Sequence, residues 1–218
     1  YITAGAIVIG VPIGLLTAVF MAFYCPKKLY GLLKPCTELL AGIPSIVYGF
    51  FGMVIIVPAV RTVADVFHKD ISGSSILAAS ILLGIMILPT IIGVSEAALR
   101  AVPMSYYEGA VAMGARHERA IFTVMVPAAK SGVLAGIVLG IGRAIGEAMA
   151  ITLVSGSSVN MPLPFNSVRF LTTAIVAEMG YAAGLHRQVL FTIGLVLFVF
   201  IMFINISLTK ILKGREDS

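Results

Sequence analysis

Polar residues are sparse along this chain, and five stretches between them are apolar for long enough to cross a bilayer. They cover residues 2–24, 39–60, 76–94, 132–154 and 189–212. A spanning helix needs about 20 such residues. Helices are expected, because a single segment in hydrocarbon must satisfy its own backbone groups. The second stretch is the least regular. It holds Pro44 and Pro58, and proline removes a helix hydrogen bond. The segment leading into it, LYGLLKPCTELLAGIPS, predicts a short interfacial helix that breaks at Pro44. Neither an internal repeat nor a low-complexity tract is present.

Composition agrees with this pattern. Of the 218 residues, 59% are hydrophobic and 11% charged, against about 25% charged in a soluble domain. Mean hydropathy is +1.06. Too little polar surface is available to cover a water-soluble globule. The fold class is all-α, a polytopic transmembrane helical bundle, with residues 1–218 forming one transmembrane domain. The net charge of +5 requires no nucleic acid, because cytoplasmic loops of membrane proteins are rich in Lys and Arg. Cys25 and Cys36 are too few for a disulfide framework and match no metal-ligand spacing. His68, His117 and His186 fall on both sides of the membrane, which argues against a metal site. No signal-peptide pattern is visible.

Lys and Arg set the orientation. The loops after the first and third spans and the C-terminal tail carry ten of them, including Lys27, Lys34, Arg100, Arg116 and Lys210. The opposite side carries four, Arg61, Lys69, Arg169 and Arg187. The ten belong in the cytoplasm. The C-terminus is then inside, with Tyr1 and His68 outside. A first residue on the outside predicts one further span upstream, six in all.

Arg143 is the remaining basic residue, at the midpoint of the fourth span in LGIGRAIGEAMAITL. A charge there costs about 2.5–3.5 kcal/mol even on lenient scales. Glu147 follows four residues later, which in a continuous helix puts both on one face. Gly140, Gly142 and Gly146 let a helix or ligand approach closely. Two readings stand. The pair neutralises itself and locks the bundle, or Arg143 offers its fork of donors to a tetrahedral oxyanion while Glu147 orients it or takes a proton. Pro44 and Ser45 have two readings as well: a simple kink, or a broken helix whose amides and hydroxyl face an anion. Glu96, near the cytoplasmic end of the third span, reads as a headgroup-level or loop contact. Asn205 reads as interhelical glue.

The cytoplasmic stretch 100–130 is too polar to span. Ser105 is a candidate N-cap with Glu108 as its capping-box partner, and Gly114 a helix-ending glycine. A second helix over 117–126 stops before Pro127. Two short helices of this kind form a knob suited to a partner's groove.

EGAVAMG followed by VMVP resembles the EAA loop of ABC importer permeases. Glu108, Ala110, Gly114, Val124, Val126 and Pro127 fall on that pattern, and Gly109 replaces its first alanine. The resemblance implies that this loop, with Arg116, is a coupling helix seated in a cytoplasmic ATPase. ATP and Mg would be bound by that partner, since this chain has no phosphate-binding loop. GRAIGEAMAI, LLAGIPSIVYGFFG and EMGYAAGLHRQVLFTIGLVLFVFIM are similar to segments of phosphate importer permeases, nearer the first of their two subunit types. That likeness implies a second permease subunit, two ATPase copies and an extracellular phosphate-binding protein. It moves the balance at Arg143 and Glu147 toward a substrate path.

The expected function is thus transport in the cell membrane, not catalysis: the permease subunit of an ATP-driven phosphate importer. The alternatives are a permease for sulfate or molybdate, and an anion channel, which would need no ATPase dock. No Ser/His/Asp or His-Glu-x-x-His arrangement points to an intramembrane protease.

Overall fold

The structure, a computed structural model, describes residues 1–66 and 73–213. Lys69 and Arg215, which entered the charge count, and His68, placed outside by it, lie outside the described residues. Helices follow one another with no strand among the described residues: α1 (Ile2–Val19), α2 (Lys27–Gly42), α3 (Ser45–Phe51), α4 (Val57–Val66), α5 (Ile76–Ala101), α6 (Met104–Ala112), α7 (His117–Ala120), α8 (Val126–Ala128), α9 (Lys130–Gly146), α10 (Met149–Val154), α11 (Leu171–Glu178) and α12 (Gly184–Lys213). Three π-helical turns, Phe20–Tyr24, Gly52–Ile56 and Ile121–Met125, prolong α1, link α3 to α4, and link α7 to α8.

Among the described residues, four helical segments are long and apolar enough to cross a membrane: Ile2–Tyr24, Ser45–Asp65, Ile76–Ala101 and Gly184–Ser207. A bent pair, His117–Ala128 and Lys130–Gly146, meeting at 71°, gives a fifth if taken as one span. The expected second span starts later than composition suggested. Helix α2 ends at Gly42, and Pro44 opens α3.

The chain divides into two compact units. The first comprises residues 1–10, 43–87 and 141–207. Its centre is the contact of α3 with α10. Gly49 makes this possible: a Cβ there would lie 2.9 Å from the Ala150 Cα, closer than real Cβ contacts allow. The loop 155–170 covers the start of α5. Carbonyls of Asn166 and Pro164 accept from the amides of Ile76 and Leu77 at 3.3 and 2.8 Å, and Ser75 Oγ accepts from the Ala78 amide at 3.2 Å. These bonds satisfy donors that a helix start leaves open. Glu178, ending α11, accepts from both Arg169 and His186.

The second unit comprises residues 11–42, 88–140 and 208–218. Ala18, Val19, Leu99, Ile121 and Ala129 form its buried cluster. Helix α9 packs on α5 through small residues, with Gly132 over Ala98 and Gly136 over Ser95. The knob of α6 to α8 belongs to this unit.

Candidate functional site

The fourth expected span is not one helix. Helix α9 ends at Gly146, residues 147–148 are non-helical, and α10 begins at Met149. Arg143 therefore lies in the last turn of α9, where a cation is favoured by the helix dipole. Glu147 follows the break, and its Oε1 accepts the Ala150 amide at 3.1 Å. The expectation that both share one helix face is corrected: a helix end separates them. Among the described residues no ion pair joins them. The glycine at 146 and the pull of the Ala150 amide on the carboxylate account for the break.

Arg143 is exposed on the surface of this chain, and Glu147 is half-buried. The same face is bare of bulk. A Cβ at Gly146 would meet nothing within 4 Å, and one at Gly142 would reach only Asn205 Oδ1 at 3.9 Å. On α3, Tyr48 is buried. Pro44 and Ser45 lie at the α2–α3 break, as expected. The first-turn amides of Val47 and Tyr48 bond to the Pro44 carbonyl at 3.0 and 3.3 Å.

The coupling-type loop is two helices joined by a turn. The Ala115 amide donates to Ala110 O at 3.1 Å, and the Gly114 amide to Val111 O at 2.8 Å. This pair of bonds is a complete Schellman motif, and it requires a left-handed residue after the helix. Gly114 supplies it with φ of +87°. Ala110 is buried beneath the turn, while Glu108, Gly109, Gly114 and Arg116 are exposed. Met104, Tyr106, Val111 and Met113 add exposed apolar surface, Met113 at 87%. Tyr107 Oη and His117 Nδ1 lie 2.8 Å apart across the turn.

Two local expectations are overturned. Pro103, not Ser105, is the N-cap of α6, with no side-chain cap. Its extended backbone and fixed φ start the helix one residue before Ser105. Nor does Pro127 stop the second helix. The π turn before it absorbs the missing amide hydrogen bond, and the helix runs on to Ala128.

Sequence reasoning missed a cluster on α5. Glu96 is 2% exposed. Lys34 Nζ donates to its Oε2 at 2.7 Å and the Tyr30 hydroxyl to its Oε1 at 2.9 Å. Arg100 Nε donates to Oε1 as well, and Arg100 Nη2 to the Met21 carbonyl at 2.8 Å. The Arg100 guanidinium also stacks 4.3 Å above the Tyr30 ring. The hydrogen bond to Glu96 raises the pKa of both Lys34 and Tyr30. Of the two readings of Glu96 the loop contact holds: Tyr30 and Lys34 belong to the segment after the first span, and with Arg100 they enclose the carboxylate in an ion cluster. Only the Glu96–Arg100 spacing was visible beforehand. Lys34 lies 62 residues away.

A sequence profile of the family described as "Binding-protein-dependent transport system inner membrane component" matches residues 10–216. A probable ABC transporter permease protein, YqgH, of Bacillus subtilis is 38% identical over 99% of this chain and 69% of its own. The phosphate transport system permease protein PstC of Pasteurella multocida is 34% identical over 97% and 71%. The probable PstC protein of Methanocaldococcus jannaschii is 32% identical over 94% and 70%. Among solved structures, the inward-facing methionine ABC transporter MetNI superposes with a TM-score of 0.74 at 21% identity, covering 98% of this chain and 90% of that one. That likeness supports the fold alone. The family match over nearly the whole length, on an all-helical chain with an exposed two-helix knob, makes this protein a member of the binding-protein-dependent transport system inner membrane component family.

Proposed function

We propose that this chain is the permease subunit through which inorganic phosphate enters the cell, driven by a separate ATPase. The observation that carries the reading is Arg143, a cation exposed in the last turn of α9, at a helix break beside bare glycines. Such a charge needs a water-filled path or a partner over it. Its five donors in a planar fork suit a tetrahedral oxyanion. Relatives named as phosphate permeases support phosphate over other anions. Pro44 and Ser45, at the second helix break, are assigned to the same path. A second permease subunit covers the exposed face. Two ATPase copies receive the coupling helices and bind ATP and Mg, and an extracellular phosphate-binding protein delivers the substrate.

Radiolabelled uptake tests this directly. Unlabelled phosphate competes fully, and equimolar sulfate or molybdate leaves uptake near its control value. Stronger competition by sulfate or molybdate would reassign the substrate.

The knob and the C-terminus face the cytoplasm in this reading. With Cys25 and Cys36, both unpaired, replaced by serine, Arg116→Cys should resist an impermeant thiol reagent in intact cells and react after permeabilisation. Labelling from outside would reverse the orientation.

A further inference from the structure

Helix α2 buries none of its side chains. Charge and hydrogen bonds tie it to α5. Tyr30 and Lys34, on α2, both donate to one carboxylate, Glu96 of α5. Arg100, a turn further on, shares that carboxylate and holds the Met21 carbonyl at the end of the first span. Helix α5 ends at Ala101, and the proposed coupling helix α6 starts at Met104. At its other end α2 runs through Ile43 and Pro44 into α3. Helix α3 is seated by Gly49 on Ala150, whose amide binds Glu147.

We propose that Glu96 is a positioning residue: it clamps α2 to α5 and so conveys movement of the coupling helix to α3, where α3 packs beside Glu147. The proposal rests on the ATP-driven import reading above. A clamp made of charge and not of packing suits this task. It holds α2 firmly in one geometry, yet its loss leaves the buried cluster of Ala18, Val19, Leu99, Ile121 and Ala129 intact. Glu96→Gln therefore releases α2 without dissolving the unit. The same reasoning makes Lys34→Met a milder release, because Arg100 and Tyr30 still partner the carboxylate. Lys34→Arg keeps the charge and the bond.

The test uses the complete transporter in proteoliposomes, reading ATP hydrolysis and radiolabelled phosphate uptake in the same vesicles. For Glu96→Gln, phosphate moved per ATP should fall about tenfold, the upper part of what one coupling residue changes, while hydrolysis stays within about twofold. Lys34→Met should show a smaller loss of the same kind, and Lys34→Arg close to none. Parallel loss of hydrolysis and uptake in Lys34→Met would overturn the proposal, as would an unchanged ratio in either charge-removing variant. If Glu96→Gln does not assemble, Lys34→Met decides. A wild-type complex that takes up no phosphate would refute the phosphate reading, not the clamp. The clamp is then read from amide hydrogen exchange. Faster exchange over residues 27–42 in the variant, with α5 unchanged, supports it, and equal exchange in α2 overturns it.

Discussion

Arg143→Gln abolishes phosphate uptake while the subunit still inserts and assembles. Uptake should drop about a hundredfold, because the cost of an uncompensated charge within the membrane, about 2.5–3.5 kcal/mol, is then borne by the anion alone. Insertion survives because the guanidinium is exposed on this chain and supports no buried part of it. Arg143→Lys should retain a reduced rate, lower by about tenfold, since the charge remains but the bidentate fork is lost. Initial uptake rates, normalised to subunit present in the membrane, measure both. Wild-type rates in Arg143→Gln would remove Arg143 from the substrate path. Glu147 offers a finer comparison. Glu147→Ala removes the α10 cap and the charge, whereas Glu147→Gln keeps an oxygen for the Ala150 amide and loses the charge only. Impaired uptake in both would show that the charge matters beyond the cap.

Gly114→Asp stops transport with the subunit still in the membrane. The Schellman turn needs φ near +87° at this position, and side chains there cost about 1–2 kcal/mol, less for Asp than for most. Within this chain a Cβ at 114 meets nothing within 4 Å. The backbone effect of Asp is thus modest, and the larger part arises where the exposed knob of Met104, Tyr106, Val111 and Met113 docks. An aspartate buried there is an unpaired charge in an apolar groove. Gly114→Val puts the strain in the turn instead, and should also abolish uptake. ATPase co-purification separates them from misfolding: both variants insert, and Asp loses the ATPase. Normal co-purification and normal uptake with Asp at 114 would refute the coupling assignment.

Much of this was legible in the residues, for identifiable reasons. The first span, 2–24, has the same limits in the structure, because the charged pair Lys27 and Lys28 ends its apolar run. Pro44 separates α2 from α3 where it should, since the residue before a proline is biased away from helical backbone. Gly114 adopts the left-handed conformation its spacing called for. Two features were hidden. The break at residues 147–148 lies inside a run long enough to span, and hydropathy cannot see a carboxylate turning onto an amide three residues ahead. The Glu96 cluster needs Tyr30 and Lys34, brought to α5 only by the path of α2. The helix start at Pro103 was misread for a related reason: Ser105 has the preferred N-cap chemistry, but the fixed φ of the proline acts two residues earlier.

Whether Arg143 and Glu147 serve substrate or structure is decided most directly by phosphate uptake in the double variant Arg143→Gln/Glu147→Gln. A structural lock predicts tolerance, since buried ion pairs are often replaceable by neutral residues without loss. The structure gives that lock little support: the two residues sit on opposite sides of a helix end, with Glu147 bonded to Ala150 and Arg143 exposed. The predicted result is a double variant present at wild-type level in the membrane with uptake at background. Full uptake in that variant would contradict the assignment of Arg143 to the path of the anion.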